Sequence, residues 1–377
     1  MINHYTFSAP GRTEIIGNHT DHQHGCVLAA AVNLETVADV EFSGGNRIRV
    51  QSEGYPLVEI DLNDLDIHDD EKNSTAALIR GVAAAFSKRG AKLQGFDAKV
   101  RSTVLPGSGL SSSAAFEVLM GTIFNELFYD GKLTAVEIAQ IGQYVENVYF
   151  GKPCGLMDQT ASSVGGMVFI DFENPKAPVV ERIDFDFEAA GHALCIIDSG
   201  ADHADLTDEY AAIPGELRAV CACFGKDVLR DIPESVFLAA LPKLRHRVPD
   251  RALMRAIHVY QENKRVLHLA DALRRNDFEA FLSIVAASGR SSWMYLQNIN
   301  PAGAWEHQDV AFTLALCDTL LNGRGAYRVH GGGFAGTVQA FVPLDMLDDF
   351  KAGIEAVLGD GSCHVLRIRP DGGIRVQ

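Results

Sequence analysis

The sequence is poor in positive charge, since 33 lysines and arginines face 49 aspartates and glutamates and leave a formal charge of −16. A surface this acidic repels nucleic acid and anionic membranes, so we expect neither as a partner. No apolar run approaches the roughly 20 residues that cross a bilayer. The first residues, MINHYTFSAPGR, also lack the basic start and apolar stretch of a signal peptide.

The seven cysteines include no Cys-x-x-Cys pair and no spacing typical of metal ligands. An odd, scattered set in a long chain indicates reduced thiols, so the sequence predicts a cytoplasmic protein. Internal repeats and low-complexity segments are absent as well. With 377 residues, of which 47% are hydrophobic, the chain has a globular composition and exceeds one ordinary core, which favours two domains.

Hydrophobic periodicity and capping patterns predict strands interleaved with helices, with long helices concentrated in the second half. Strands are expected near 27–42, 95–104, 167–171, 193–198, 326–330, 336–342 and 363–369. Helices are expected near 74–89, 111–129, 134–150, 204–223, 252–275, 277–288, 305–322 and 345–358. This order favours an α+β fold with two domains, 1–190 and 191–377, divided near residues 188–191.

A glycine- and serine-rich stretch, LPGSGLSSSAAF at 105–116, lies between a predicted strand and a predicted helix and contains no acid. Its glycines allow a close backbone approach, and N–H groups at a helix start favour anions. It is neither a Walker loop nor a dinucleotide fingerprint. It could be a plain turn with a serine N-cap, but three consecutive serines without a nearby acid favour a phosphate cradle.

Asp158 is the one acid between Glu146 and Asp171, within the stretch GKPCGLMDQTASSVGG. A carboxylate among small and apolar residues is costly unless it is hydrogen-bonded or functional. Asp158 could equally be the N-cap of a helix starting near Gln159. Glu146, at the end of the preceding helix, is by default a solvated acid.

Five segments resemble motifs of one family. GRTEIIGNHTDHQHG, 11–25, resembles the galactokinase signature, whose usual form is GRxNLIGEHTDYN. LPGSGLSSSAA and RVHGGGFAGT (328–337) resemble the second and third motifs of the GHMP small-molecule kinases. GKPCGLMDQ and DLTDEY (205–210) resemble the catalytic loop and the sugar-contacting tyrosine segment of galactokinases. The resemblance implies a two-lobed GHMP kinase fold, with an N-terminal α/β lobe like ribosomal protein S5, a ferredoxin-like C-terminal lobe and the active site in the cleft.

The same resemblance implies a sugar pocket that begins at the signature. Asp21 would accept from two ring hydroxyls, while Asn18 and His19 would lie near the C6 group. Asp158 would orient or deprotonate the C1 hydroxyl, and Arg12 would keep it ionised and stabilise the transferring phosphoryl group. Gly155 and Tyr210 would complete the site. The remaining signature histidines, His22 and His24, are explained by loop solvation.

ATP and Mg²⁺ are the cofactors that the resemblance implies. The ATP phosphates would lie on the second motif, at Gly107, Ser108, Gly109, Leu110, Ser111, Ser112 and Ser113. The magnesium ligands would be Ser112 or Ser113 together with Glu146. The third-motif glycines, 331–333, would make a second close backbone approach to the active site.

The sequence departs from the family pattern at several places. The usual Glu of GEHTD is Asn18, and the usual Tyr-Asn after Asp21 is His22-Gln23. The third motif has Ala335 for Gly and Thr337 for Cys, and the run of arginines that galactokinases carry after the tyrosine is missing. Asn18 matters most, because a neutral amide can accept from a C6 hydroxyl or donate to a C6 carboxylate.

These features predict an ATP-dependent kinase that phosphorylates the C1 hydroxyl of galactose. The protein is expected to be a monomer. Two alternatives remain open from the sequence. The chain could phosphorylate galacturonate or another galactose derivative, since Asn18 does not exclude a uronic acid. It could also be a catalytically idle galactose sensor, although the intact Arg12, Asp158, Glu146 and serine-rich stretch argue against a protein that only binds sugar.

Overall fold

The computed structural model describes residues 4–104, 109–152, 154–200, 206–334 and 336–377, within which the strands form two sheets of eight and four. The first sheet contains β1 (His4–Ile16), β2 (Cys26–Phe42), β3 (Arg47–Ser52), β4 (Val58–Asp61), β5 (Phe96–Ser102), β6 (Met167–Asp171), β7 (Val179–Ile183) and β12 (Ile374–Arg375). The second contains β8 (His192–Asp198), β9 (Ala326–Val329), β10 (Thr337–Pro343) and β11 (Cys363–Leu366).

The helices of the described residues are α1 (Thr75–Lys88), α2 (Ser112–Phe128), α3 (Ala135–Val145), α4 (Met157–Val164), α5 (Thr207–Ala222), α6 (Glu234–Leu244), α7 (Asp250–Arg274), α8 (Phe278–Ser291), α9 (Asp309–Leu321) and α10 (Leu347–Leu358). None of these helices combines the length and the apolar character needed to cross a membrane.

The elements predicted from periodicity are confirmed, including both capped helix starts. Ser74 accepts from the N–H of Ala77 at the start of α1, and Thr134 and Glu137 form a reciprocal capping box at the start of α3. The helix expected to reach residue 150 ends as an α-helix at Val145, because residues 146–150 widen into a π turn. Strands β1, β3, β4, β7 and β12 and helix α6 were not predicted, and helix α4 was expected only in the alternative that made Asp158 a helix cap.

The first sheet has the strand order β12-β1-β2-β5-β3-β4, and β6 pairs with both β2 and β7. Its core is aromatic on one face, where Phe86 of α1 stacks on Phe124 of α2 and Phe124 meets Phe96 of β5 edge to face. All three rings are fully buried. These helices therefore pack against one face of the sheet through a continuous apolar layer.

The second sheet has the order β11-β8-β10-β9 with all neighbours antiparallel. Helices α9 and α10 cover it through a separate apolar cluster that includes Leu314, Phe350 and Ile354. After β11 the chain returns to the first sheet, since Ile368 bridges to Val32 and β12 pairs with β1. The sequence therefore forms the mixed α+β architecture that was expected.

Strand β1 lies where the candidate functional segments converge. It contacts α2, α4, α7 and α8, which belong to both halves of the chain. Most of its side chains are buried, including the polar ones of Arg12, Thr13 and Glu14. Buried polar groups require partners, so β1 connects the elements around it through hydrogen bonds as well as apolar contacts.

Candidate active site

Arg12 and Asp158 form a two-point ion pair. Arg12 Nε donates to Asp158 Oδ1 and Nη2 donates to Oδ2, both at 2.8 Å. The arginine side chain is 8% exposed and the aspartate side chain 30%, so the carboxylate group is partly accessible to solvent. This bidentate geometry fixes the plane of the carboxylate.

Asp158 lies in the first turn of α4, whose N-cap is Leu156, so the alternative of Asp158 as the N-cap was wrong. The hydroxyl of Ser111 also donates to Asp158 Oδ2. Burial alone would raise the pKa of Asp158, but the charge and hydrogen bonds of Arg12 and the Ser111 hydroxyl hold it below its usual range. Asp158 is therefore ionised at neutral pH.

The glycine- and serine-rich stretch 105–116 is called the glycine turn below. Its described residues, from Gly109 onward, pack directly on β1. The backbone N–H of Arg12 donates to the carbonyl of Leu110 at 3.0 Å, and its guanidinium donates to the carbonyl of Gly109. Gly109 has a φ of +71° and Ser111 a φ of +57°. Gly107 and Ser108 lie outside the described residues. Ser111 occupies the N-cap position of α2, as in the plain-turn alternative, but its hydroxyl donates to Asp158 and caps no helical N–H.

Ser112 and Ser113 occupy the first turn of α2 and are half-buried. Two acids lie behind them: Glu117 on α2 and Glu146, which is 4% exposed. Gln159 Nε2 donates to Glu117 Oε2 at 3.0 Å and to Glu146 Oε2 at 2.9 Å. Glu146 is therefore a buried acid, which corrects the default of a solvated one.

The pKa values of both acids are raised. Burial is the main cause for each, and the Glu146 charge raises the pKa of Glu117 further. Glu117 Oε1 is buried without a hydrogen-bond partner. Such an oxygen favours a nearby cation or a proton, so the oxygen donors of this corner fit a hard divalent ion such as magnesium.

No three His, Cys, Asp or Glu side chains of the described segments converge closely enough to hold a metal ion by themselves. A magnesium ion here would therefore need serine or phosphate oxygens in addition to Glu146. This is the usual way in which Mg²⁺ is held, through one or two carboxylates and the substrate phosphates.

Asp21 and Gly155 are adjacent. A Cβ atom on Gly155 would overlap Asp21 Oδ2, so no larger residue fits beside that carboxylate. The other oxygen, Oδ1, accepts from the backbone N–H of His22 at 2.8 Å. Burial raises the pKa of Asp21, and the N–H of His22 opposes that rise. The structure thus brings together two residues that the sequence analysis placed in one sugar pocket.

His19 and His22 belong to a directed chain of hydrogen bonds. His19 Nε2 lies 3.1 Å from the carbonyl of Gly332, which can only accept, so Nε2 carries the proton. His19 Nδ1 then accepts from His22 Nε2 at 3.2 Å, and His22 Nδ1 accepts from Gln23 Nε2 at 3.2 Å. His22 is therefore structurally engaged, which corrects the expectation of simple solvation.

Burial is the main cause that lowers the pKa values of these two histidines, to about 3 for His19 and about 4 for His22. Both rings are neutral at physiological pH. A neutral His19 has one N–H, and Gly332 receives it. Neither ring nitrogen of His19 is then available to a C6 hydroxyl in this arrangement.

The side chain of Asn18 is 1% exposed and makes four contacts within the protein. Its Nδ2 donates to the Gly331 carbonyl at 2.5 Å and to Glu14 Oε1 at 3.3 Å. Its Oδ1 accepts from Asn298 Nδ2 at 2.8 Å and from Ser292 Oγ at 3.4 Å. An amide has two donors and two acceptor positions, so Asn18 has no free N–H for a C6 group, contrary to expectation.

Glu14, which the sequence analysis did not select, is buried beside Asn18 and pairs with Arg328 Nη2 at 2.9 Å. Burial raises the pKa of Glu14, and Arg328 opposes that rise. In the family form GRxNLIGEHTDYN the two positions carry Asn and then Glu, whereas this chain has Glu14 and Asn18. The side chains of these two exchanged residues are in direct contact. The exchange was therefore the sequence signal by which Glu14 could have been selected.

Tyr210 lies on α5 and packs against the third-motif glycines. Its hydroxyl donates to the carbonyl of Gly333 at 2.8 Å, and its ring meets Phe334 edge to face. A Cβ on Gly332 would approach the Tyr210 ring to 2.7 Å. The close backbone approach expected at residues 331–333 is therefore toward Tyr210, His19 and Asn18, while Ala335 lies outside the described residues.

His330 connects all three motifs and was not predicted. Its Nε2 lies 3.0 Å from Thr13 Oγ1 and its Nδ1 lies 2.8 Å from Thr337 Oγ1. A Cβ on Gly109 would approach Nδ1 to 3.2 Å. Burial lowers the pKa of His330 well below its usual value, so the ring is neutral. Thr337, where the family has Cys, is one of its partners.

Two known families match parts of this chain. Residues 77–166 match the GHMP kinases N terminal domain, and residues 3–41 match the galactokinase galactose-binding signature. A galactokinase of Streptomyces coelicolor is 32% identical, over 98% of this chain and 93% of that protein.

Solved structures show the same fold. The crystal structure of Lactococcus lactis galactokinase complexed with galactose has a TM-score of 0.83 at 22% identity, covering 99% of this chain and 95% of that one. A mevalonate kinase has a TM-score of 0.68 at 15% identity, covering 97% and 99%. The expected two-lobed GHMP kinase fold is confirmed.

Proposed function

Because the chain belongs to the galactokinase family, we propose that it transfers the γ-phosphoryl group of ATP to the C1 hydroxyl of galactose. The products are galactose 1-phosphate and ADP. The observation that supports this most directly is the environment of Asp158. That carboxylate receives Arg12 from the sugar signature and Ser111 from the glycine turn, so sugar and phosphate segments meet at one ionised group.

Asp158 is proposed to hold the C1 hydroxyl in line with the γ-phosphorus. The C1 oxygen forms the new P–O bond, the bond from the γ-phosphorus to the bridging oxygen breaks, and ADP leaves. The hydroxyl proton passes to the Asp158 carboxylate. Because its pKa is low, the carboxylate is a weak base, which suits a loose transition state in which proton transfer comes late.

Arg12 is proposed to have two roles. Its fork on Asp158 keeps the carboxylate ionised and correctly turned. Its positive charge also lies at the junction of β1 and the glycine turn, where it donates to the carbonyl of Gly109. Negative charge that develops on the transferring phosphoryl group is stabilised there by a cation that is already in place.

The proposed sugar site is built on Asp21, with Gly155 leaving room beside it and Tyr210 closing the side near the third-motif glycines. Asp21 would accept from two neighbouring ring hydroxyls. Asn18 and His19 would bound the pocket near C6 through their backbone, since their side-chain polar atoms are held by the carbonyls of Gly331 and Gly332. They would select the sugar by shape and backbone position more than by direct donation.

ATP is proposed to bind over the glycine turn and the N-terminus of α2. Leu110 to Ser113 and Gly107 to Gly109 would supply backbone N–H groups and hydroxyls to the phosphates. Magnesium, held by Ser112 or Ser113 and Glu146, would neutralise phosphate charge. Glu117, which shares the Gln159 amide with Glu146, would add a second buried acid near that magnesium ion.

No observation favours a uronic acid over galactose. A C6 carboxylate needs a cation or free N–H groups, and the Asn18 amide already has all its partners. An idle sensor is not favoured either, because a protein that only binds galactose has no need of the Arg12–Asp158–Ser111 arrangement. We also propose a monomer in the cytoplasm, in keeping with seven free cysteines.

The experiment is ADP release from ATP and magnesium in the presence of galactose, galacturonate, 6-deoxygalactose, glucose and mevalonate, with a no-sugar control. We expect galactose to give the highest kcat/KM, and ³¹P NMR to show a phosphate on C1. Sugar-independent ADP release, or galacturonate used better than galactose, would contradict the proposal.

A further inference from the structure

Helix α7, which belongs to the other half of the chain, forms hydrogen bonds to the backbone of the sugar signature. Glu262 Oε1 accepts from the backbone N–H of Gly17 at 3.3 Å and of Asn18 at 3.4 Å. His258, one helical turn earlier, donates from Nε2 to the carbonyl of Asn18 at 3.0 Å. Three polar groups of two adjacent signature residues therefore have their partners on one helix face.

The carboxylate of Glu262 is fully buried and has a partner on each oxygen. Ser288 Oγ donates to Oε1 at 2.5 Å, and Arg265 Nε donates to Oε2 at 2.6 Å. Burial opposes its charge, yet His258, Arg265 and Arg328 around it and the Ser288 hydroxyl lower its pKa to about 2. The group that holds the signature is therefore a charged acceptor.

The restraint at Gly17 is passed on to Asp21 by a compact turn. Gly17 has a φ of +117°, and a Cβ there would approach Val27 to 2.8 Å, so only glycine fits at this position. Its carbonyl accepts from the N–H of Thr20 at 3.1 Å and from the Thr20 hydroxyl at 2.8 Å. Asp21 follows directly, so its position depends on where Gly17 is fixed.

The charge on Glu262 matters more than its shape. Hydrogen bonds to an ionised acceptor are roughly twice as strong as those to a neutral one. A glutamine of equal size could still accept at one atom, but its amide N–H groups would face Arg265 or the backbone N–H groups. Glu14, on β1, is a second buried acid in the same cluster, and the charge of Glu262 adds to the burial that raises its pKa.

We propose that Glu262 is a positioning residue for the sugar, which fixes the segment 17–21 through the N–H groups of Gly17 and Asn18 and so sets Asp21 in place. This inference rests on the proposed function, because Asp21 is taken as the sugar ligand. It assigns sugar affinity to a side chain that does not line the proposed sugar pocket and lies in the second half of the chain.

The test is Glu262→Gln in the full-length protein, with KM for galactose, KM for ATP and kcat measured separately. We expect KM for galactose to rise about 10- to 100-fold, because charge-assisted hydrogen bonds that place the sugar ligand are lost. The KM for ATP and kcat at saturating galactose should stay within about 3-fold. A purely structural role would not separate the two substrates.

The matched control is Glu234→Gln. Glu234 also pairs with α7, through Lys264 at 2.5 Å, but lies on α6 and does not contact the signature. We expect it to leave all three constants unchanged. If Glu262→Gln leaves KM for galactose within 2-fold of wild type, or raises both KM values equally, the positioning role is overturned.

If Glu262→Gln fails to fold, Ser288→Ala tests the same inference, because it removes one donor from Glu262 Oε1 and keeps the carboxylate. It should raise KM for galactose a few-fold and spare ATP, and no change there would also overturn the inference. Galactose-induced shifts in melting temperature provide an independent readout. If wild type releases no ADP with galactose but melts higher in its presence, and Glu262→Gln loses that shift, the proposed function fails while the positioning role stands.

Discussion

Arg12 and Asp158 are 146 positions apart in the chain and meet in two parallel hydrogen bonds of 2.8 Å. The pair joins β1 to α4, so it fixes the catalytic loop against the sugar signature. A lysine at position 12 would supply the charge without the planar fork. The predictions below ask what each partner of this carboxylate contributes.

Asp158→Asn should leave galactose affinity nearly intact and lower kcat by roughly 10²- to 10⁴-fold. The amide keeps the size of the side chain but places an N–H group opposite Arg12 and cannot accept the C1 proton. Calorimetric titration with galactose and steady-state kinetics separate the two effects. Turnover within a few-fold of wild type, in a variant that melts normally, would show that Asp158 has no catalytic role.

Arg12→Ala should lower kcat more than it raises the KM for ATP, since its charge is needed most where negative charge develops. It should also raise the pKa of Asp158, because the neighbouring cation is lost. The acid limb of the kcat/KM profile should therefore move to higher pH. Arg101→Ala, an exposed pair with Asp39, is the control. A weaker KM for ATP with unchanged kcat would place Arg12 on ground-state phosphates.

The three serines at the start of α2 should differ in their effects. Ser112→Ala or Ser113→Ala should raise the magnesium or ATP concentration needed for half-maximal activity. Ser111→Ala should instead lower kcat and raise the pKa of Asp158, because that hydroxyl donates to its carboxylate. Magnesium titrations at fixed ATP distinguish the two patterns. Identical behaviour of all three variants would mean that the turn acts only as a helix start.

Asn18→Glu should destabilise the protein, because it removes the donor to Gly331 and buries a second carboxylate beside Glu14. The double variant Glu14→Asn with Asn18→Glu has only one carboxylate there. We expect a favourable coupling free energy of about 1–3 kcal/mol in a double-mutant cycle measured by urea unfolding. Additivity within about 0.5 kcal/mol would show that the two positions are independent.

Glu262 should make the protein sensitive to acid. Its pKa is 4.5 in the unfolded chain and about 2 in the folded one, so its contribution to stability is present above pH 4.5 and is lost as pH falls toward 2. Wild type should lose up to about 1.4 kcal/mol per pH unit more than Glu262→Gln in that window. Urea midpoints from pH 3 to 6 measure this, and parallel curves would contradict it.

The helices were predictable because their signals are local. Ser74 and the Thr134–Glu137 box mark two starts within four residues of sequence. Strand β1 was not predicted, because HYTFSAPGRTEII contains Pro10 and Gly11 and buries both of its faces, polar side chains included. Burial on both faces removes the alternation by which a strand is recognised.

Only the site residues that lie within recognised motifs could be predicted from the sequence. The sequence brought Arg12, Asp21, Gly155 and Asp158 together through a resemblance, and the structure shows the Arg12–Asp158 and Asp21–Gly155 contacts directly. The sequence could not show that Asn18 faces the protein interior, because the partners of its side chain lie at residues 292, 298 and 331. Contacts that distant leave no periodic trace in a single sequence.

The pairing of β12 with β1 has a consequence for biosynthesis. Ile374 and Arg375 pair with Ser8 and Phe7, and the N–H of Thr6 donates to the carbonyl of Gln377. At a translation rate of 5–20 residues per second, the partners emerge roughly 20 to 70 s apart. Throughout that interval the outer edge of β1 has no strand beside it, and unpaired edges invite association between chains. Nascent chains stalled before residue 374 should therefore need chaperone protection more than chains in which β12 has been synthesised.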